Sequence, residues 1–207
     1  ISFCSDFAKA KDRIVMQLIS YDKNVKKLSG IPYIKYLDFA IIFQIYTEVS
    51  YPEYGTITIT DELMNKWGVS TEALIRAVLK NTPSLMPYSL LNMAEYIKSK
   101  CPEYAKLMND VTTDDIPVYI LTNQRKINGA TSILYPGILS SLSKKLGGNL
   151  LLIPSSIHEF LVMPLDAGVE TSGLSEFIRE VNATQLTDEE VLGERYYIYD
   201  SKTDTMY

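Results

Sequence analysis

The sequence predicts an α+β fold: a largely antiparallel sheet of hairpins with packed helices. Apolar runs of strand character come in close pairs joined by turn residues, as in 118–122 with 130–135 and 150–153 with 159–163. Stretches of helical periodicity lie between such pairs instead of following every strand, which argues against a parallel strand-helix-strand sheet. With 207 residues and 46% apolar content the chain can bury its own core. It reads as one compact unit, 1–207, or as two packed lobes, 1–110 and 116–207.

Each element has a local cause. Phe7, Ala10, Ile14 and Leu18 recur at helical spacing behind Asp6, a capping residue, so the opening helix is predicted to run to about Ser20. Residues 38–49 are rich in Ile, Phe, Tyr and Val and precede the turn Tyr51-Pro52-Glu53-Tyr54-Gly55. Residues 56–60 then alternate Thr with Ile as the second arm of a hairpin. Thr60 or Asp61 caps a short helix whose acids Asp61 and Glu62 suit the positive end of its dipole, and Gly68 ends it. Ser70 starts another helix, with Leu74, Ala77 and Val78 on one side. It is predicted to stop at Asn81-Thr82-Pro83, because proline disfavours helical geometry in the residue before it.

Helical patches at 90–98 and 103–108 are broken at Cys101-Pro102, and 109–116 lacks apolar periodicity and reads as a linker. A helix is predicted over 138–146, ended by Gly147-Gly148. Leu174, Phe177, Ile178 and Val181 mark a further amphipathic helix. In the strand 195–200, Tyr197 and Tyr199 share one face and Tyr196 joins Ile198 on the other. Residues 200–204 form a last turn.

Composition excludes several roles. A net charge of −5 and a pI near 5.0 give no general electrostatic reason to approach nucleic acid or anionic lipid. No apolar run approaches the roughly 20 residues that cross a bilayer. Cys4 and Cys101 are far apart and form no local pair, which points to a reducing, cytoplasmic setting. A start at Ile1 in place of methionine suggests a piece cut from a longer protein.

The one histidine lies in Pro154-Ser155-Ser156-Ile157-His158-Glu159. In an extended strand Ser156 and His158 share a face, so a serine nucleophile with a histidine base is conceivable. Glu159 points the other way and cannot orient the ring from the same strand. The competing reading is a Pro-Ser-Ser turn whose hydroxyls satisfy backbone groups. Asn123, Arg125 and Asn128 surround an Asn-Gly turn where amides and cations can meet a small anion; a solvated hairpin tip explains the same residues. Asp110, Asp114 and Asp115 lack the spacing of a calcium loop, so no metal is expected, and no motif calls for a cofactor.

Several motifs carry a resemblance: Trp67-Gly68-Val69, Asn81-Thr82-Pro83, Leu121-Thr122-Asn123, Asn128-Gly129-Ala130, Leu134-Tyr135-Pro136-Gly137 and the histidine segment. From about Phe7 to Asp200 the chain resembles a domain-of-unknown-function family common in gut bacteria. The order of elements is more loosely similar to a second bacterial family. Neither resemblance implies an activity, a cofactor or a catalytic residue. The resemblance implies a bacterial source and the C-terminal part of a longer protein, and the residues favour a non-catalytic protein-binding or regulatory module. The alternatives are a hydrolase or transferase using Ser156 and His158, and a small-ligand sensor anchored by Asn123, Arg125 or Asn128.

Overall fold

The computed structural model describes residues 2–50, 53–100, 117–165 and 169–207. The chain opens with a short helix α1 (Phe7–Ala10), for which the Asp6 side chain accepts a hydrogen bond from the Ala8 amide. A 3-10 turn, Lys11–Arg13, leads into strand β1 (Ile14–Ser20). The predicted helix to Ser20 is thus corrected. All seven residues of β1 are buried, and a strand covered on both faces shows no alternation. Its apolar run mimicked a helical stripe.

After α2 (Val25–Leu28) come β2 (Tyr33–Tyr36), β3 (Phe39–Ser50) and β4 (Glu53–Thr58). One edge of β3 pairs with β1; the other takes β2 and then β4, all antiparallel. Helix α3 (Asp61–Trp67) has the expected ends: the Thr60 side chain accepts from the Leu63 amide, and Gly68 is left-handed at φ 64°. Helix α4 (Thr71–Leu85) runs past its predicted stop, with Pro83 in the last turn. There a proline forfeits only one backbone bond. Asn81 and Thr82 are buried on this helix.

Strand β5 (Tyr88–Asn92) precedes α5 (Met93–Lys100), so residues 90–92, expected as helix, are strand. They fill an edge of β6 (Tyr119–Asn123) from Tyr88 against Asn123 to Asn92 against Tyr119. Asn92 then accepts from the Glu95 amide at the helix start. The predicted helix 103–108, the linker 109–116, the lobe boundary and Asp110, Asp114 and Asp115 lie outside the described residues. The predicted strand 130–135 is instead a 3-10 helix, Gly129–Leu134. Both edges of β6 are already taken, by β5 and by β8, so no slot remains for a hairpin partner.

Helix α6 (Ile138–Leu146) and the hairpin of β7 (Leu150–Ser156) and β8 (Glu159–Pro164) match expectation, as do α7 (Leu174–Gln185) and β9 (Tyr197–Asp200). Strand β10 (Thr205–Met206) closes the second sheet, ordered β10-β9-β7-β8-β6-β5 and antiparallel throughout. The fold is α+β, as predicted.

One cluster of buried apolar side chains draws on both sheets. Phe39 of β3 meets Phe160 of β8 edge-on at 6.1 Å and Tyr197 of β9 at 5.0 Å. Polar groups complete the junction. Among the described residues no strand lies beside the outer edge of β1; Thr82 Oγ1 accepts from the Met16 amide and Thr131 Oγ1 from the Leu18 amide, each at 3.0 Å. Asn81 Nδ2 donates to the Ile14 carbonyl at 3.0 Å and to the Lys11 carbonyl at 2.7 Å. Replacing Thr82 by Val orphans a buried amide. Thr82→Val is expected to cost about 1–3 kcal/mol in urea unfolding and to speed Met16 amide exchange, whereas Thr82→Ser keeps most of the stability.

Candidate functional site

The β7–β8 turn carries the histidine. Ser156 Oγ accepts from the His158 amide at 3.0 Å, and the ring's Nδ1 accepts from the Asn128 amide at 3.0 Å. An accepting Nδ1 leaves the ring proton on Nε2 in this arrangement. The His158 carbonyl receives the Thr122 hydroxyl at 2.8 Å, and the Ile157 carbonyl receives the Ala130 amide. Glu159 meets Ser155 at 3.4 Å. Ser156, His158 and Glu159 are therefore neighbours, but among the described residues no hydrogen bond links the Ser156 hydroxyl to the imidazole or the imidazole to Glu159. The bonds of Ser156 and His158 hold backbone in place, and that of Glu159 joins two side chains.

Asn123, Arg125 and Asn128 share the adjoining loop. Asn123 is 1% exposed: Nδ2 donates to the Ile127 carbonyl at 2.7 Å and Oδ1 accepts from the Arg125 amide at 3.0 Å, closing the turn on itself. Asn128 is left-handed at φ 53°, as its type permits. The Arg125 guanidinium lies over the rings of Tyr54 and Tyr46, at 5.3 and 5.7 Å. Among the described residues, the Tyr46 hydroxyl is the buried side-chain polar atom without a hydrogen-bond partner. Gly129 follows where the chain has no room for a side chain: a Cβ would overlap Thr122 Oγ1 and lie 2.7 Å from the His158 carbonyl oxygen.

A second cluster joins residues that are remote in sequence. Asp38 Oδ2 accepts from Arg195 Nε at 2.7 Å and from the Tyr197 hydroxyl at 2.8 Å. Arg195 also stacks over the Tyr197 ring at 4.2 Å. Burial, the largest single influence, pushes the Asp38 carboxyl up; the Tyr197 and Arg195 hydrogen bonds and the charges of Arg195 and Lys35 outweigh it, so its pKa lies below the ordinary 3.8. Burial, then the Asp38 bond and charge, push the Tyr197 phenol well up. The cluster borders a cleft of about 240 Å³ lined by Lys23, Asp38, Arg179, Glu194 and Arg195. Its cations are already paired, Lys23 with Asp188 at 3.2 Å, Arg179 with Glu176 at 3.1 Å and Arg195 with Asp38, which leaves little uncompensated charge for a ligand.

A third feature is apolar. Leu174, Phe177, Ile178 and Val181 of α7 face Ile153, Pro154 and Leu161 of the β7–β8 hairpin across a recess of about 110 Å³. Phe177 is 60% exposed, more than any other large apolar side chain among the described residues. The helical stripe was legible in the sequence; its incomplete burial was not. Tyr197 and Tyr199 are buried while Tyr196 and Ile198 are half-buried, the division their alternation implies. Among the described residues no three His, Cys, Asp or Glu side chains are grouped to hold a metal ion.

Two outcomes follow for these residues. Gly129→Ala is expected to lower stability by about 3 kcal/mol, read as a reduced urea midpoint at unchanged slope, because the added methyl meets backbone on two sides. Asp38 has a depressed folded-state pKa, so its stabilisation is present above pH 3.8 and is lost as pH falls through the lower folded value. Asp38→Asn should cost about 1 kcal/mol at neutral pH, because half of the carboxylate side chain faces water. It should also remove that part of the acid dependence in pH-resolved denaturation.

No curated protein and no solved structure matches the chain. Residues 1–201 match the model of a Family of unknown function (DUF5688), so the chain, with its histidine turn, its Asp38 cluster and its α7 recess, belongs to that family.

Proposed function

We propose that this chain is a non-catalytic binding module that takes a basic polypeptide segment with an apolar anchor on the α7 face. The observation that carries the reading is Phe177, 60% exposed on the rim of an apolar recess. At about 110 Å³ the recess is well below the roughly 300 Å³ at which small-molecule pockets begin, and it suits one apolar side chain. Charge supports the basic partner: residues 169–194 hold seven carboxylates against one arginine, Arg179, and among the described residues four of the seven, Glu170, Glu180, Glu189 and Glu190, enter no ion pair. The backbone-directed bonds of Ser156 and His158 favour the non-catalytic half of the reading. The proposal includes a bacterial cytoplasmic setting, in keeping with Cys4, which is free.

Selection of random peptides displayed on phage against the 207-residue chain tests this reading. The selected peptides should share an aliphatic or aromatic residue beside Lys or Arg. Phe177→Ser should weaken a selected peptide about tenfold or more, because one buried anchor is worth about 1.5–3 kcal/mol. It should leave the melting temperature near that of the parent, since the side chain is exposed. Glu180→Gln should lower affinity and flatten its salt dependence. Selected peptides without basic residues, or affinity indifferent to Phe177→Ser, would overturn the reading.

A further inference from the structure

A second recess, built from other elements, carries the opposite charge. Lys11 from the 3-10 turn after α1, and Arg76 and Lys80 from α4, border a hollow of about 240 Å³ whose apolar wall is Phe7, Ala73 and Ala77. We propose that this recess binds a small organophosphate, its phosphate held by the three cations and its apolar body laid against Phe7 and the two alanines.

The hollow has a structural origin. Ala73 and Ala77 stand one turn apart on α4, and their short side chains leave a notch beside Phe7, whose ring is braced by Trp67 at 5.8 Å. The buried side chain of Asn81 donates to the Lys11 carbonyl at 2.7 Å and to the Ile14 carbonyl at 3.0 Å, which fixes the backbone of Lys11 beside the helix. The root of one cation is thereby pinned, and Arg76 and Lys80 hold the i, i+4 spacing that puts both on one helical face.

The cations there are not held in ion pairs. Among the described residues Lys11, Arg76 and Lys80 enter no ion pair within 4.0 Å, although Lys23, Arg179 and Arg195 all do. Two acids are near. Asp12 lines the same hollow, and Glu72 lies one turn before Arg76; Glu72 is held below its ordinary pKa first by a hydrogen bond from Ser70, with the charge of Arg76 a lesser influence. Like charges at i, i+4 repel by a few tenths of a kcal/mol, so a dianion placed among them relieves that repulsion as well as forming charge-assisted hydrogen bonds. A phosphate offers several acceptor oxygens to the planar guanidinium and to two ammonium groups, and the hollow is larger than a phosphate alone requires.

The test is an amide-resolved NMR titration of the 207-residue chain with phenyl phosphate, with inorganic phosphate and phenol as separate arms. Phenyl phosphate should give saturable shifts at Ala73, Arg76, Ala77 and Lys80, with an affinity at least about tenfold above either fragment. Raising salt from about 0.05 to about 0.3 M should weaken it severalfold. Arg76→Gln combined with Lys80→Gln should reduce affinity about tenfold or more at unchanged melting temperature, since both side chains are exposed, and Lys11→Gln should act in the same direction. Equal affinity for inorganic phosphate, undiminished binding by the double variant, or binding of phosphatidylserine vesicles without binding of phenyl phosphate would each overturn the proposal.

Discussion

The rest of the structure depends on how the outer edge of β1 is satisfied. A strand buried on both faces and paired on one side presents amides that water cannot reach, and each would cost more unpaired than a hydrogen bond returns. Here side chains replace the missing strand: Thr82 from α4 and Thr131 from the 3-10 helix Gly129–Leu134 accept from alternate amides of β1, and Asn81 donates to the carbonyl of Ile14. An edge closed by short hydroxyl side chains cannot recruit another strand. It also ties β1 to the second sheet, because Thr131 belongs to a segment bonded to β6: Ser132 donates to the Thr122 carbonyl. The contacts of Phe39 with Phe160 and Tyr197 join the same two sheets.

The same economy explains the histidine turn. Thr122, Asn128, Gly129, Ser156 and His158 belong to three stretches of chain, and they meet where β6, the 3-10 helix and the β7–β8 turn converge. Gly129 allows the backbones to approach, and the Thr122 hydroxyl, the Ser156 hydroxyl and the imidazole then pair with amides and a carbonyl that the approach removes from water. One histidine beside one serine thus has a sufficient structural reason to be present. It stabilises a crossing of three segments just beyond the last ladder pair of β6 and β8, Leu121 with Phe160.

Much of the fold was legible because its causes are local. Thr60 and Gly68 bracket α3 by capping and left-handed geometry, the Pro-Ser-Ser turn separates two strands of the right length, and helix 138–146 is bounded by glycines that tolerate positive φ. The misreadings have causes far away in sequence. Residues 14–20 are a strand because β3 and two distant threonines satisfy their backbone, and nothing inside the segment says so. Residues 130–135 follow an Asn-Gly pair that suits a hairpin, but the slot beside β6 is occupied by β8, which comes later in the chain. The candidate sites divide likewise. The stripe of α7 was visible as periodicity, whereas the Asp38 cluster joins residues 157 apart and the recess beside Phe7 joins a turn to a helix 60 residues on; neither leaves a local pattern.

Net charge describes this molecule poorly, and the reason bears on what it meets. Seven carboxylates against one arginine give residues 169–194 a charge of −6, so the remainder of a chain with −5 sums to +1. The acidity is therefore a property of one region. At physiological ionic strength the Debye length is about 8 Å, so a ligand at a recess responds to charges within a turn or two of helix and hardly to the total. A low pI sums over the whole chain, so it leaves room for a small hollow bordered by Lys11, Arg76 and Lys80, and it hides the local balance beside Phe177, where Glu176, Arg179 and Glu180 lie on the same helix. Lys23 and Arg179 lie in ion pairs, whereas among the described residues Lys11, Arg76 and Lys80 enter none within 4.0 Å, although Asp12 borders their hollow and Glu72 lies one turn before Arg76. Segregation of charge along the chain is what permits one small fold to carry a recess beside an acidic helix and another bordered by three cations.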